Sequence, residues 1–388
     1  MITKYPLATS SWDQDEYDAL NRVIASEQFS MGPKVRAFEE QFAYQFGSKH
    51  AIMVNSGSSA NLLIMAALRY TKNDALRISE GAEIIVPAVG WSTTYYPLQQ
   101  YGLKLKFVDI DLNTLNYDLA SLRAAVTDQT RAIMVVNLLG NPNDFDALNN
   151  IMDGREIVMI EDNCESMGAT FNGREAGTFG IAGSYSGFFS HHISTMEGGI
   201  CVTDDEELYH VMLSIRAHGW TRNLPKFNHL TGEKSDDNFE ESFRFVLPGY
   251  NLRPLEMSGA LGLEQLKKLP KLIEGRRANG ALLQQRLSAH PRFMIQQEIG
   301  KSSWFGFSLV LRDPSAGSRS QLVRELMEAG FEVRPIVTGN FVKNEVMKYF
   351  TYSIHSELKN ADYIDEHGLF VGNHHYDIVD AVDTIAAL

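Results

Sequence analysis

The sequence predicts an α/β protein whose large domain is built on a mixed, mostly parallel sheet and whose C-terminal domain is a smaller α+β unit. Short apolar runs, for example residues 51–54, 83–86 and 103–108, alternate with longer stretches of helical periodicity, which is typical of strands joined by crossover helices. The 388 residues are 44% hydrophobic and 21% charged, so the chain is long and apolar enough to bury a sizeable core.

The individual elements follow in chain order. Amphipathic periodicity predicts helices over residues 13–27, 35–46, 60–70 and 257–287. Apolar runs predict strands in the large domain over residues 51–54, 83–86, 103–108, 132–139, 156–160, 184–189 and 199–203. Residues 223–245 are polar and predict a long loop, and strand signals return at 304–311 and 332–336. We place the domain boundary at Pro254, so that the domains span residues 1–254 and 255–388.

Composition excludes several classes of protein. The formal net charge of −13 argues against sequence-independent nucleic-acid binding, which needs a basic surface. Cys164 and Cys201 are too few for a disulfide framework, an iron–sulfur cluster or a cysteine-rich zinc site, and no metal site is expected. Neither a signal-peptide pattern nor an apolar run of about 18 residues occurs, so we expect a cytoplasmic protein without a membrane partner.

Small or polar residues follow the predicted strands at their carboxyl ends, where ligands bind in sheets of this kind. Ser56-Gly57-Ser58 opens a helix whose free N–H groups suit an anion, although a plain helix cap explains the same residues. Trp91, after the second strand, is able to stack on a flat ring or to pack in the core. Asp162 ends an apolar strand and is suited to pair with a protonated ring nitrogen, with a helix cap as the alternative.

Two further segments complete the pattern, residues 184–199 with Ser186 and His191, and residues 248–266 with Asn251. The five features, in this order and spacing, resemble the DegT/DnrJ/EryC1/StrS group of pyridoxal-phosphate-dependent nucleotide-sugar aminotransferases. The resemblance covers almost the whole chain. It implies fold type I, the aspartate aminotransferase-like architecture, with pyridoxal 5′-phosphate (PLP) as the cofactor.

The resemblance also implies a role for each matching residue. Gly57 and Ser58 match the backbone donors that bind the cofactor phosphate, and Ser186 matches the serine that hydrogen-bonds the same phosphate. Trp91 matches the aromatic residue that stacks on the pyridine ring. Asp162 matches the acid that pairs with the pyridine nitrogen.

The chain departs from this family at the cofactor-binding lysine. That lysine lies seven residues before the first glycine of a Glu-Gly-Gly turn, and counting back from Gly198 gives His191. No lysine occurs between Lys106 and Lys226, so a shifted register does not recover one. An imidazole cannot form a Schiff base with an aldehyde, so PLP or its amine form, pyridoxamine 5′-phosphate, is expected to bind non-covalently. His191 is expected to be the residue that moves protons.

A histidine at this position resembles the sugar 3-dehydratases within the family, which match at residues 86–97, 161–168, 190–192, 216–225 and 336–341. The resemblance implies removal of the C3 hydroxyl from a GDP-linked 4-keto-6-deoxy sugar. L-Glutamate would regenerate the pyridoxamine form, and ammonia would be released. A nucleotide-sugar 4-aminotransferase, or a 3-dehydratase acting on a dTDP, CDP or UDP sugar, is the alternative, because no single residue identifies the base.

Further residues are expected near the site. His192 adjoins His191, but neighbours on an extended segment point to opposite faces, so only one of them should meet the cofactor. Glu165 is expected to contact the cofactor, the substrate or His191. Asn251 matches the family asparagine that reaches the phosphate of the neighbouring subunit, which implies a homodimer with shared active sites. Candidate contacts for the sugar nucleotide or glutamate are Ser30, His218, Arg222 and Arg334.

Other interpretations fit the sequence less well. A sugar aminotransferase would need a distant lysine. A non-enzymatic relative would be expected to lose Asp162, Ser186 and Asn251 together with the lysine, and all three are present. The iron–sulfur-dependent relatives need more than two cysteines, so no reductase partner is expected. A nicotinamide dehydrogenase needs G-x-G-x-x-G after its first strand, and the sequence lacks it.

Overall fold

The computed structural model describes residues 3–388, except for the side chain of Ala316. The strands are, in chain order, β1 His50–Val54, β2 Glu83–Pro87, β3 Lys104–Val108, β4 Thr130–Val136, β5 Val158–Asp162, β6 Thr170–Phe171, β7 Arg174–Glu175, β8 Ala182–Ser186, β9 Gly199–Thr203, β10 Phe227–Asn228, β11 Gly232–Glu233, β12 Phe293–Met294, β13 Gly306–Leu311, β14 Val333–Arg334, β15 Tyr352–Ile354 and β16 Gly368–Gly372. The helices are α1 Gln14–Ser26, α2 Pro33–Phe46, α3 Gly57–Tyr70, α4 Ser92–Gln100, α5 Leu119–Ala125, α6 Phe145–Met152, α7 Glu206–Arg216, α8 Asn238–Ser242, α9 Glu256–Leu287, α10 Arg319–Glu328, α11 Lys359–His367 and α12 Val379–Ala386.

Several helices of the large domain begin at a residue whose side chain caps them. Asp13, Ser56, Asp118, Asp144 and Asp205 each accept a backbone N–H from the first turn of α1, α3, α5, α6 and α7, respectively. Such caps satisfy N–H groups that have no partner inside the helix. The caps therefore set where each helix begins and which loop residues precede it.

The large sheet has the strand order β1-β9-β8-β5-β4-β2-β3-β15. Strand β9 runs antiparallel to β1 and β8, and the remaining neighbours are parallel. The sheet is therefore mixed and mostly parallel, as the sequence predicts. Because β1, β2, β5 and β8 all run in one direction, their carboxyl ends meet at the same edge of the sheet.

Helices cover both faces of this sheet. Ile52 of β1 packs in a core with Leu63 of α3, whereas its neighbour Met53 packs in a second core with Phe42 of α2 and Leu266 of α9. Alternate residues of one strand thus enter different cores. Burial on both faces explains why the strands are nearly continuous apolar runs.

The C-terminal part of the chain forms an antiparallel sheet with the order β12-β13-β16-β14. Helices α9, α10 and α12 pack on it through Leu283, Leu322 and Val382, around Phe307 and Leu309. Strand β15 pairs with β3 of the large sheet, so a segment from this part of the chain returns to the large domain. The boundary at residue 254 stays a prediction. Within residues 3–388, no helix is both long and apolar enough to cross a membrane.

The structure corrects several predicted element boundaries. The strand predicted over residues 132–139 ends at Val136, because Leu138–Gly140 form a 3-10 turn with Leu139 at a φ of 56°. The predicted loop at residues 223–245 contains the β10–β11 hairpin and helix α8, and the strand signal at 332–336 narrows to β14. Helix α4 lacks a clear sequence signal because Pro97 lies within it.

Candidate active site

A cavity of about 350 Å³ opens at the carboxyl edge of the large sheet. Segments that follow β1, β2, β4, β5 and β8 line it, and residues next to β13 and β14 of the small sheet close it. The cavity brings together most of the residues singled out in the sequence, namely Gly57, Ser58, Trp91, Asp162, Glu165, Ser186, His191 and Arg334.

The N-terminus of α3 forms one end of the cavity. Ser56 caps this helix by accepting the N–H of Ser59, and Gly57 and Ser58 begin it. A Cβ atom at Gly57 would lie 2.9 Å from Cβ of Ser186, so a residue without a side chain is needed where α3 approaches β8. The first N–H groups of a helix carry a partial positive charge and suit a phosphate. Together with the serine hydroxyls they make an anion-binding end.

Asp162 is buried at the end of β5 and lines the cavity. Its Oδ2 accepts hydrogen bonds from Asn61 Nδ2 at 2.8 Å and Thr94 Oγ1 at 2.7 Å. Its Oδ1 accepts the N–H of Cys164 at 3.1 Å. No helix begins at this point of the described chain, so the helix-cap alternative does not apply. These hydrogen bonds, together with one from the hydroxyl of Ser184 to Oδ1 at 3.4 Å, instead hold the carboxylate in one orientation.

Trp91 immediately precedes α4 and lines the same cavity. Its side chain is 57% exposed, which excludes the alternative of a tryptophan packed in the core. The hydroxyls of Ser58 and Thr93 are 2.7 Å apart and tie the start of α4 to the start of α3. An aromatic residue and an anion-binding end are thus held in one cavity by a direct contact between their helices.

His191 occupies the position where the resembling family has its lysine. It is half-buried, with the ring centroids of Phe188 and Phe305 at 5.8 Å and 5.0 Å from that of the imidazole. Nδ1 is 3.4 Å from the hydroxyl of Ser190, and Nε2 has no hydrogen-bond partner within the described residues. Burial, assisted by the positive charge of Arg276, lowers the pKa of His191 to about 3. The imidazole is therefore neutral near pH 7 and able to accept a proton.

His192 does not line the cavity, although it adjoins His191. It is buried, and its Nε2 lies 3.2 Å from the carbonyl oxygen of Ser303. Burial lowers the pKa of His192 well below its ordinary value. Of these two histidines, His191 is the one that faces the cavity, in keeping with the register inferred from the sequence.

Glu165 lines the cavity and also supports its wall. Its Oε2 accepts the backbone N–H of Leu139 at 3.1 Å, which stabilises the left-handed backbone of that residue. Burial raises the pKa of Glu165 to about 7; the Leu139 hydrogen bond opposes this rise, and the charge of Asp162 adds to it. The carboxyl group therefore changes its charge near neutral pH.

This raised pKa predicts a pH-dependent stability. An unfolded chain ionises Glu165 near pH 4.5, whereas the folded chain holds the proton up to about pH 7. The free energy of unfolding should therefore fall as pH rises through this window, by at most about 3 kcal/mol. Glu165→Gln keeps an acceptor for Leu139 and should abolish that loss. Urea unfolding of the wild type and the variant without added cofactor, at about pH 4.5 and pH 8, measures the free energy of unfolding at each pH. A stability difference between variant and wild type that is the same at both pH values contradicts the assignment.

Four of the predicted site residues lie outside the cavity and share a different surface. We define the Trp220 surface by Ser30, His218, Trp220, Arg222 and Asn251. The guanidinium carbon of Arg222 is 4.2 Å from the Trp220 ring centroid, and the His218 ring centroid is 5.0 Å from it. Asn251 forms a backbone bridge to the residue before His218, and Ser30 forms one to the residue four positions after Asn251. The structure thus places these four residues near one another and outside this subunit's cavity, a position that the family resemblance implies for Asn251.

Sequence reasoning missed several residues that the cavity depends on. Asn61 and Thr94 orient Asp162, and Phe305 covers His191. The sequence does contain a signal for Asn61, because it is a polar residue within the apolar run of α3. Phe305 leaves none, because it reaches the cavity from the other domain, more than a hundred residues further along the chain.

Comparisons with known proteins identify close relatives of the chain. The GDP-4-keto-6-deoxy-D-mannose 3-dehydratase of Escherichia coli O55:H7 (strain CB9615 / EPEC) is 62% identical to this chain over 383 residues, which cover 98% of each protein. Two solved structures of GDP-4-keto-6-deoxymannose-3-dehydratase, one a mutant with bound GDP-perosamine and one with a trapped PLP-glutamate geminal diamine, each superpose on this chain with a TM-score of 0.97. Each is 61% identical to this chain, and each comparison covers 99% of both chains.

The family model described as the DegT/DnrJ/EryC1/StrS aminotransferase family matches residues 10–387. This match spans both the large sheet and the small sheet, and thus all the segments that line the cavity. The chain therefore belongs to the DegT/DnrJ/EryC1/StrS aminotransferase family and has its fold type I architecture.

Proposed function

We propose that the chain is a PLP-dependent 3-dehydratase that acts on GDP-4-keto-6-deoxy-D-mannose. The observation that carries this proposal is a cavity with an anion-binding end, an oriented acid at Asp162 and an exposed Trp91, but with His191 in place of the family's lysine. A relative that had lost its activity would be expected to lose the anion-binding end, Asp162 and Trp91 together with the lysine, whereas this chain retains them. The 62% identity to the Escherichia coli dehydratase over nearly all of both chains supports the choice of reaction and substrate.

The residues of the cavity fit PLP. The start of α3 and the hydroxyl of Ser186 are suited to its phosphate, and the carboxylate of Asp162 is suited to its ring nitrogen. Trp91 offers an aromatic face to its ring. None of the described residues that line the cavity is a lysine, so these non-covalent contacts alone would hold the cofactor.

When bound, the pyridoxamine form supplies an amine for the keto carbon of the sugar and a ring that withdraws electrons. Proton transfer falls to His191, whose imidazole is neutral and whose Nε2 has no hydrogen-bond partner in the described chain. With the cofactor bound, Nε2 would accept the proton released from the amine-bearing carbon of the cofactor, whose C–H electron pair would serve to expel the C3 oxygen, and would donate that proton to the C3 hydroxyl oxygen. That oxygen leaves as water with the electron pair of the broken C–O bond. Phe188 and Phe305 cover the imidazole and limit the access of bulk water.

We further propose L-glutamate as the amino donor and ammonia as the second product. A relative with 61% identity holds a PLP-glutamate adduct, and another structure holds a GDP-linked sugar, which supports both ligands for this chain. Arg334 lines the cavity with its side chain exposed, and is suited to contact a carboxylate or a diphosphate.

We also propose that the protein is cytoplasmic. The thiols of Cys164 and Cys201 are not joined in a disulfide, which fits a reducing compartment.

Incubation of the purified chain with PLP, L-glutamate and GDP-4-keto-6-deoxy-D-mannose tests the proposal. We expect 2-oxoglutarate and ammonia to appear in equal amounts, because each turnover consumes one amino group. Parallel incubations with the dTDP, CDP and UDP sugars test the base, and kcat/KM should be at least about tenfold lower for them. Equal turnover of all four sugars contradicts the GDP assignment.

We also propose a homodimer in which the Trp220 surface completes the partner's cavity. Asn251 is exposed and lies outside its own cavity, although its family counterpart contacts a cofactor phosphate. Large apolar side chains around this surface are exposed in the single chain, namely Phe29, Phe243, Phe245 and Leu255. A second copy that covers them would remove this apolar area from water.

Mixed dimers test the shared site. Co-expression of His191→Asn chains with Asn251→Ala chains should restore about one quarter of wild-type activity, because half of randomly paired dimers are mixed and each has one intact site. Either variant alone should be nearly inactive. Differential tags and sedimentation confirm that mixed dimers form. Mixed dimers that form without regaining activity, or a wild-type chain that sediments as a monomer, contradict the arrangement.

A further inference from the structure

Arg276 is a buried cation without an acidic partner. It lies in α9, is 6% exposed, and donates from Nη1 to the carbonyl oxygens of Phe305 at 3.0 Å and Asn373 at 2.9 Å. Its Nε is buried without a hydrogen-bond partner, and no carboxylate within the described residues forms an ion pair with it. Buried charges are usually paired because desolvation is costly. An uncompensated guanidinium in this position therefore calls for a functional explanation.

The charge of Arg276 acts on a group of four histidines, which are His191, His192, His374 and His375. In each of them burial lowers the pKa most, and Arg276 lowers it further. The pKa of Arg276 itself falls through burial only to about 10, so the guanidinium keeps its charge near pH 7. The four imidazoles are accordingly neutral around a fixed cation.

The hydrogen bonds of Arg276 place its charge beside a residue that packs on His191. The two hydrogen bonds that Arg276 donates to carbonyl oxygens fix the guanidinium in place. One of these oxygens is that of Phe305, whose ring packs on His191. The N–H of Phe305 is bonded in turn to the carbonyl oxygen of Leu139, whose own N–H is held by Glu165. The other ionisable side chains around His191 are its neighbour His192 and the cavity-lining Asp162, Cys164, Glu165, Glu197 and Arg334.

We propose that Arg276 is a positioning residue for proton transfer, whose unpaired charge adds to the effect of burial in keeping His191 neutral at rest and in expelling the proton that His191 acquires. A neutral imidazole is able to accept a proton at Nε2. Once protonated, His191 lies near a fixed cation in a poorly solvated site, and repulsion makes the imidazolium a stronger acid. The proton then passes to the departing C3 hydroxyl oxygen. The catalytic use of this effect rests on the proposed function, but the effect itself does not.

Titration of His191 tests the inference without turnover. The full-length chain is labelled with ¹³C at the histidine ring Cε1 positions, and the His191 signal is assigned by its loss in His191→Asn. Arg276→Gln removes the charge, and Arg276→Lys keeps it. Arg277→Gln is the matched control, because Arg277 follows on the same helix and donates to the carbonyl oxygens of Ser302 and Gly168 without acting on His191.

We expect the titration midpoint of His191 to move to higher pH in Arg276→Gln and to stay at its wild-type position in Arg276→Lys and Arg277→Gln. An unchanged midpoint in folded Arg276→Gln overturns the proposal. If Arg276→Gln does not fold, Arg276→Lys still tests the proposal. A His191 midpoint that rises in Arg276→Lys, although the positive charge is retained, would also overturn it. Wild-type His191 that titrates near pH 6.5 overturns the proposal by itself. Failure of the dehydration assay, with the titration as expected, would instead refute the proposed function.

Discussion

Replacing His191 with lysine is expected to give a protein that binds its cofactor covalently and no longer removes the C3 hydroxyl. Lysine supplies the primary amine that imidazole lacks, at the position where the family uses one. Burial and the charge of Arg276 should lower the pKa of the new amine, as they lower that of His191, and so favour its nucleophilic neutral form. Borohydride reduction followed by intact mass measurement should show the cofactor attached to the chain.

His191→Asn is the matched control for this exchange. It removes the proton carrier without adding an amine, so dehydration should be lost while borohydride leaves the chain mass unchanged. The two variants thus separate loss of proton transfer from gain of a covalent link. A His191→Lys protein that dehydrates the sugar at the wild-type rate with free cofactor contradicts the role given to His191.

Replacing Asp162 with asparagine is expected to lower kcat by about 10²–10³-fold, the range seen when one preorganised electrostatic contact is removed from an active site. The carboxylate accepts hydrogen bonds from Asn61, Thr94 and Cys164 with both of its oxygens. An amide has one oxygen, so its NH₂ group must oppose one of these donors, and it cannot stabilise a proton on the ring nitrogen. Weaker binding of pyridoxamine 5′-phosphate and a changed absorption spectrum should accompany the loss.

Glu161→Gln provides a control at the neighbouring position of the same strand. Glu161 is equally buried, but it accepts the N–H groups of Gly177 and Gly180 and does not line the cavity. The exchange should lower stability while leaving the absorption spectrum of the bound cofactor as in the wild type. If Glu161→Gln and Asp162→Asn change that spectrum alike, Asp162 has a structural rather than an electronic role.

The positions of Gly57, Trp91, Asp162 and Ser186 could be predicted from the sequence for a physical reason. Each lies at or just after the end of a strand, and the strands concerned run in one direction, so their carboxyl ends converge. The strands could be predicted because they are buried on both faces of the sheet, which requires nearly continuous apolar runs in the sequence. The role of His191 followed from the family resemblance, which places a lysine seven residues before the first glycine of the Glu-Gly-Gly turn, here Gly198.

Contacts between distant parts of the chain could not be predicted in this way. Phe305, which precedes β13, packs on His191, and Arg276 of α9 binds the carbonyl oxygen of Phe305. Neither residue is marked by periodicity or by a motif in the sequence. The sequence did not predict local backbone conformation either. At Leu139 a left-handed residue lies at the end of an apolar run that had been predicted to be a strand. The separation of Asn251 from its own cavity is a tertiary feature too, although family resemblance anticipated it.

The mass of the sugar nucleotide after incubation tests the central claim most directly. The purified chain is supplied with pyridoxamine 5′-phosphate and GDP-4-keto-6-deoxy-D-mannose carrying ¹⁸O at the C3 hydroxyl. If His191 expels this hydroxyl, the product lacks the label, the ¹⁸O appears in water, and ammonia is released. A product that keeps the label and gains an amino group at C4 would identify an aminotransferase and contradict the dehydratase assignment.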